Sequence, residues 1–196
     1  MTIAELFNKY GSDKVKNEYT EMYELILDPQ RDDPLRILEI GIGTVIPGVQ
    51  SSMARFHGPG YRPGGSLRAF RDYCPRAEVL GLDIQPDTQF SEERIETGIC
   101  DTIDGLAVAR FFAYREELFD VVIDDGFHAA HAQIATLVNF HAKVRWGGYY
   151  VIEDIFTGSP VFTDWKNIVG NHFELVHQRI NAIVLRKRES DSGISI

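Results

Sequence analysis

The sequence predicts an α/β fold: a mostly parallel sheet of seven strands with helices on both faces, closed by an antiparallel strand hairpin at its carboxyl-terminal end. Three observations predict it. Short apolar runs alternate with amphipathic stretches of helix length, the pattern of parallel strands joined by crossover helices. The runs at 78–83, 119–124 and 149–154 end on acids and the run at 35–40 ends on a glycine turn, which places polar chemistry at the carboxyl ends of buried strands, where open α/β sheets hold ligands. The last two runs, 173–177 and 182–187, are joined by a short turn around Arg179-Ile180-Asn181, as in a hairpin.

Thr2 and Glu5 have capping-box spacing, and Ile3, Leu6 and Phe7 give a first short helix its apolar face before Tyr10-Gly11 ends it. A second helix is expected over 19–27. Pro29 and the charged run Arg31-Asp32-Asp33-Pro34 then break the chain, so residues 1–30 read as an amino-terminal helical cap. The first strand, 35–40, leads into Gly41-Ile42-Gly43, whose glycines let backbone amides approach a ligand closely. A lone GxG carries little weight by itself. In a compact Rossmann-like unit the helix follows the glycine turn within a few residues. Here 44–65 intervenes with five glycines and three prolines, a long loop insertion that reads as functional or simply mobile.

Gly64-Gly65-Ser66 opens the delayed helix, which stops before Pro75. The strand at 78–83 closes on Asp83, the position from which an acid accepts hydrogen bonds from ribose hydroxyls in this architecture, although turn chemistry before Pro86 explains it equally well. A third strand at 94–99 ends in Cys100-Asp101, and a helix over 103–114 precedes the central strand at 119–124. The helix expected over 129–143 carries Ile134, Leu137, Val138 and Ala142 on its buried side and is closed by Trp146-Gly147-Gly148. The fifth strand, 149–154, and a helix at 161–169 complete the series before the hairpin.

The stretch FDVVIDDGFH, residues 119–128, organises the rest. Asp124 and Asp125 are adjacent, so on an extended backbone they face opposite sides of the sheet and only one serves a given site. His128, three residues after Asp125, can look into the same crevice if a helix starts near Ala129. A capping Asp, a turn glycine and a solvated histidine describe the same residues. A second strand, however, also ends in paired acids, Glu153 and Asp154. Two buried strands each finishing in two carboxylates are costly without a cation, and a divalent metal explains both.

With 196 residues, 44% hydrophobic and 25% charged, the chain has the composition of one globular domain spanning 1–196. A net charge of −9 with scattered basic residues argues against a nucleic-acid partner. No window approaches a membrane span and the amino terminus has no apolar leader, so a cytoplasmic location with no membrane partner is expected. Cys74 and Cys100 lack metal spacing and read as isolated thiols.

In the order EIGIG, LGLD, CD, FDVVIDD and a final hairpin, most of the chain resembles the class I S-adenosylmethionine-dependent methyltransferases. More narrowly, KYGSDK, GGSLRAFRDYCP, DDGFH and IED resemble the magnesium-dependent sugar O-methyltransferases of macrolide antibiotic biosynthesis, the mycinamicin and macrocin type. Phe127 departs from that family, which usually has a small residue there, and the large amino-terminal extension of some members has no counterpart in this sequence. The resemblance implies that Asp125, Glu153 and Asp154 hold magnesium or a similar dication and that His128 is the base, with Asp125 beside the reacting groups. It implies S-adenosylmethionine as cofactor, with Gly41 and Gly43 against its methionine part and Glu39 near its amino group. Asp83 would meet the ribose, Asp101 the adenine amine and Asp124 the sulfonium end. Tyr10, Ser12, Asp13 and Lys14 would cover cofactor or acceptor, though capping and surface solvation explain them nearly as well.

The implied reaction is O-methylation of a small hydroxylated acceptor, a sugar or glycosylated natural product, with a homo-oligomeric assembly left open. A nicotinamide-dependent oxidoreductase would share the glycine turn and Asp83, but GIGTVIPG lacks the tight G-x-G-x-x-G turn. A metal-dependent hydrolase would use the same acids without needing Asp83. A non-catalytic cofactor-binding partner subunit would not need His128 and three acids together.

Overall fold

The computed structural model describes residues 1–49, 52–58 and 60–189. The amino-terminal segment forms α1 (Ile3–Tyr10) and α2 (Thr20–Leu27). Thr2 and Glu5 make the reciprocal capping box, and Gly11 closes α1 in the left-handed conformation at φ 71°. β1 (Arg36–Ile40) runs into the long loop, which contains one short helical turn, α3 (Ala54–His57), before α4 (Gly65–Tyr73). The rest follows as β2 (Glu78–Asp83), β3 (Ser91–Glu92), β4 (Ile95–Ile99), α5 (Gly105–Phe111), β5 (Phe119–Asp124), α6 (Ala130–Phe140), β6 (Val144–Ile152), α7 (Val161–Val169), β7 (Phe173–Gln178) and β8 (Ile183–Lys187).

These strands form one sheet in the order β3-β4-β2-β1-β5-β6-β8-β7. The central pairs β4–β2, β2–β1, β1–β5 and β5–β6 are parallel, and β8 and β7 add the antiparallel hairpin. Among the described residues the sheet has eight strands rather than the expected seven. The extra one is the two-residue β3, antiparallel to β4 across a turn in which Arg94 takes φ 60°. A polar pair of residues has no periodicity to announce it; Glu92 is instead held by Arg62, Arg68 and Arg71.

Alternation along the strands divides the core in two. Ile37, Val121, Ile123 and Val151 pack with α1, α2 and α4, where Phe7, Tyr23 and Phe70 meet with ring centroids 5.0–5.7 Å apart. Leu38, Ile40, Val122, Tyr150 and Ile152 pack with α5, α6 and α7 on the other face. Elements shift at their ends: α6 stops at Phe140 and continues as a single 3-10 turn, and β6 begins at Val144 with a register irregularity against β5. Gly148 permits that start, since a Cβ there would lie 2.8 Å from the Asp120 carbonyl oxygen. Among the described residues no helix is long and apolar enough to cross a membrane.

Candidate active site

The parallel ladder continues one residue beyond the strand ends. Gly41 N donates to Leu82 O at 2.8 Å, Asp125 N to Ile40 O at 2.9 Å and Glu153 N to Asp124 O at 3.0 Å. Three strands therefore deliver Gly41, Asp125 and Glu153 side by side. Gly41 stands at φ 90°, and a Cβ on it would lie 2.0 Å from the Asp125 carbonyl oxygen, so only glycine lets the two turns touch.

Alternation separates the adjacent acids as the sequence requires. Asp125 turns to the face covered by the amino-terminal helices, as do Glu39 and Glu153. Lys14, in the turn after α1, points its ammonium among all three: 2.5 Å from Glu153 Oε2, 2.9 Å from Asp125 Oδ2 and 3.1 Å from Glu39 Oε1. Its contact with Glu39 is out of line for a hydrogen bond, so Glu39 Oε1 is buried beside a charge but has no donor. Ser66 Oγ donates to the other oxygen at 2.5 Å. The Tyr23 hydroxyl donates to Glu153 Oε1. Burial pushes the carboxyl pKa of both Glu39 and Glu153 upward, against the pull of Lys14.

Asp154 follows Glu153 at φ 49°, a left-handed conformation rare outside glycine. Tyr19 holds it there. The Tyr19 hydroxyl donates to Asp154 Oδ1 at 2.7 Å and accepts from Asp154 N at 3.0 Å and Asn181 Nδ2 at 2.9 Å. The turn brings Asp154 to His128, with Oδ2 3.6 Å from Nε2. Asp125, His128 and Asp154 each offer one ligand atom, all within 4.8 Å of one another and all part-exposed. Asp125, His128 and Asp154 thus come together. Glu153 sits one layer deeper, with one oxygen on Lys14 and the other on Tyr23. His128 Nδ1 is buried without a partner, and Phe127 projects at the rim, edge-on to His131 with centroids 6.1 Å apart.

Asp124 faces the opposite layer, 2% exposed, accepting from Gly126 N at 3.3 Å while its Oδ2 has no donor. Burial pushes its pKa up to about 8. Asp83 accepts from Ile42 N and Gln85 N, both at 2.8 Å, tying the strand end to the glycine turn. Asp101 accepts from Ile103 N at 3.3 Å. The loop after Gly43 folds back over that turn: a Cβ on Gly43 would meet Met53 Cγ at 2.7 Å and the Tyr61 hydroxyl at 2.9 Å. Asp87 pins the loop's start, accepting from Thr44 Oγ1 at 2.7 Å and Val45 N at 2.8 Å. Tyr19, Tyr23 and Asp87 carry no motif signal of their own; Lys14 and Ser66 lie in stretches, KYGSDK and GGSLRAFRDYCP, that the sequence singles out.

No protein-family model matches the chain. It is 36% identical over 157 residues to 8-demethyl-8-(2-methoxy-alpha-L-rhamnosyl)-tetracenomycin-C 3'-O-methyltransferase of Streptomyces olivaceus, an alignment of 79% of this chain and 37% of that protein. To mycinamicin VI 2''-O-methyltransferase of Micromonospora griseorubida it is 33% identical over 204 residues, 98% of this chain and 47% of the relative. The crystal structure of MycE, a methyltransferase of the mycinamicin pathway in complex with Mg and SAH, superposes at TM-score 0.80 and 27% identity, covering 99% of this chain and 56% of that one. The chain therefore spans roughly half or less of the length of these relatives. The fold is that of the class I S-adenosylmethionine-dependent methyltransferases, and the chain is a homologue of the sugar O-methyltransferases of the macrolide and tetracenomycin pathways.

Proposed function

We propose that this protein is an S-adenosylmethionine-dependent, divalent-metal-dependent O-methyltransferase acting on a sugar hydroxyl of a glycosylated natural product. The observation that carries the reading is the convergence of Asp125, His128 and Asp154 within 4.8 Å at strand ends next to the Gly41–Gly43 turn. Carboxylate oxygens fit a hard cation such as magnesium, and Glu39 Oε1, beside the Lys14 ammonium at 3.1 Å but without a hydrogen bond, has capacity for the ammonium of a methionine moiety. When bound, the cofactor supplies an electrophilic methyl group and the ion a Lewis acid that orients a hydroxyl and eases loss of its proton.

The protein's own residues do the rest. Asp125, Glu153 and Asp154 hold the ion, and His128 takes the acceptor's proton. Gly41 and Gly43 admit the methionine part against bare backbone, with Glu39 at its amino group and Asp124 beneath the sulfonium end. Asp83 takes the ribose hydroxyls through its remaining lone pairs and Asp101 the adenine amine. MycE, at 29% identity, has been crystallised with Mg, SAH and mycinamycin VI together, which supports a glycosylated acceptor. Labelled S-adenosylmethionine with a panel of glycosides, catechols and carboxylic acids, read by mass spectrometry, should give magnesium-dependent label on a glycoside hydroxyl. Label confined to a carboxylate, or transfer undiminished by excess chelator, would reject the reading.

A further inference from the structure

A buried ionic cluster lies directly under the proposed ligands. Lys14 is 1% exposed, and its ammonium meets carboxylates from the ends of β1, β5 and β6 at 3.1, 2.9 and 2.5 Å. A buried ammonium needs such partners, but three ionised carboxylates leave two negative charges unbalanced by one cation. The two charged neighbours of Lys14 just past the ends of β5 and β6, Asp125 and Glu153, belong to the ligand set proposed above. Both Glu153 oxygens already carry a donor, Oε2 the ammonium and Oε1 the Tyr23 hydroxyl, so an ion ligated by Glu153 lies beside one of them. A dication repels the ammonium and has no such quarrel with a neutral hydroxyl.

We propose that Lys14 is a stand-in cation for the divalent ion: it holds Asp125 and Glu153 in their ligating arrangement before the ion arrives, and yields Glu153 Oε2 when the ion binds. The inference rests on the metal-dependent reading and deepens it. Lys14 is then a positioning residue that competes with the ion it prepares for. The displaced ammonium keeps Glu39 within reach and stays inside the fold. The exchange also has a path to the second proposed ligand, since Lys14 O accepts from Tyr19 N at 2.8 Å and Tyr19 holds Asp154. Movement of the 14–19 turn therefore reaches both acids at the end of β6.

Calorimetric titration of metal-stripped full chain with MgCl2, alongside Lys14→Met, tests this. The variant should bind magnesium about tenfold more tightly than wild type, because a like charge has been removed from the site. It should melt lower than wild type in chelator and recover on adding magnesium. Equal or weaker magnesium binding by a folded Lys14→Met protein overturns the exchange and makes Lys14 a fixed strut. Should the variant fold only in magnesium, its dependence on the ion supports the stand-in role, and hydrogen exchange of wild type decides the rest. The Tyr19 amide should exchange faster when magnesium is added; unchanged or slower exchange refutes displacement. If wild type binds no magnesium, the metal-dependent reading itself falls, and this inference with it.

Discussion

Tyr19 reaches Asp154 across 135 residues of sequence, and its hydroxyl is the reason a non-glycine residue can hold φ 49° at the site. Removing it leaves Asp154 N and Asn181 Nδ2 without their acceptor, at a cost of about 1–3 kcal/mol. Tyr19→Phe should lower magnesium affinity by about 10–100-fold, the usual effect of losing a group that orients a ligand, with affinity for the demethylated cofactor product nearly unchanged. Calorimetry with each ligand separates the two, and parallel losses would mean that Tyr19 merely supports the fold. His128 calls for a different readout. As the base it contributes to turnover and not to cofactor binding, so His128→Ala should lower turnover by about 10²–10⁴-fold; activity within about threefold of wild type would pass the proton to another group. Motif spacing exposes Asp125, His128 and Asp154 because strand ends and short turns are local. It does not expose Tyr19 or Tyr23, nor what Lys14 does, because their partners Asp154, Glu153 and Asp125 lie more than a hundred residues away.

Gly41 shows how an element boundary fixes a site. A side chain there would meet the Asp125 backbone and force φ 90° on a residue that resists it. Gly41→Ala should destabilise the protein by more than about 3 kcal/mol or prevent folding, whereas Gly48→Ala, with the same strain but open space around it, should cost about 1–2 kcal/mol; comparable melting temperatures for the two would deny the close approach. The edge of the sheet offers a test in pH. Hydrogen bonds from Arg68, reinforced by Arg62 and Arg71, hold the Glu92 carboxyl below the usual carboxylate range. A carboxyl with a depressed folded pKa contributes stability above its unfolded value, about 4.3, and loses it as pH falls through the folded value. Glu92→Gln should therefore melt lower than wild type at pH 7, and the gap should close as pH drops below about 4. A gap independent of pH would assign the effect to packing. The same cluster explains why β3 escapes sequence reading: an ion pair with α4 and the loop, and not an apolar pattern, creates that strand.

At the scale of the molecule, the two packed layers and the parallel arrangement were legible because β1, β2, β5 and the end of β6 are near-continuous apolar runs separated by stretches of helix length. How the 44–65 insertion lies was not, since glycine and proline report only what a loop permits. Its described residues are tied at both ends: Val45 N to Asp87 and Gly64 N to Ile42 O, with Met53 N on Thr44 O. Between these ties, Met53 and Tyr61 cover Gly43, the place proposed for the methionine part of the cofactor. A ligand reaching Gly43 must therefore lift the Tyr61 side while the anchored ends stay put, as a lid does. Hydrogen exchange should find the amides of Val45, Met53 and Gly64 protected in the free protein and in the complex with the demethylated cofactor product. The amide of Tyr61, bonded to Gly58 O at 3.2 Å within the loop itself, should exchange fast when free and slow once product and acceptor are bound. Asp87→Ala removes the anchor at Thr44 and Val45, so it should raise exchange at Val45 and weaken product binding by several-fold without touching a ligand-facing group. If Tyr61 is instead fully protected before any ligand is added, the insertion is a rigid wall, and the cofactor must enter past the amino-terminal helices.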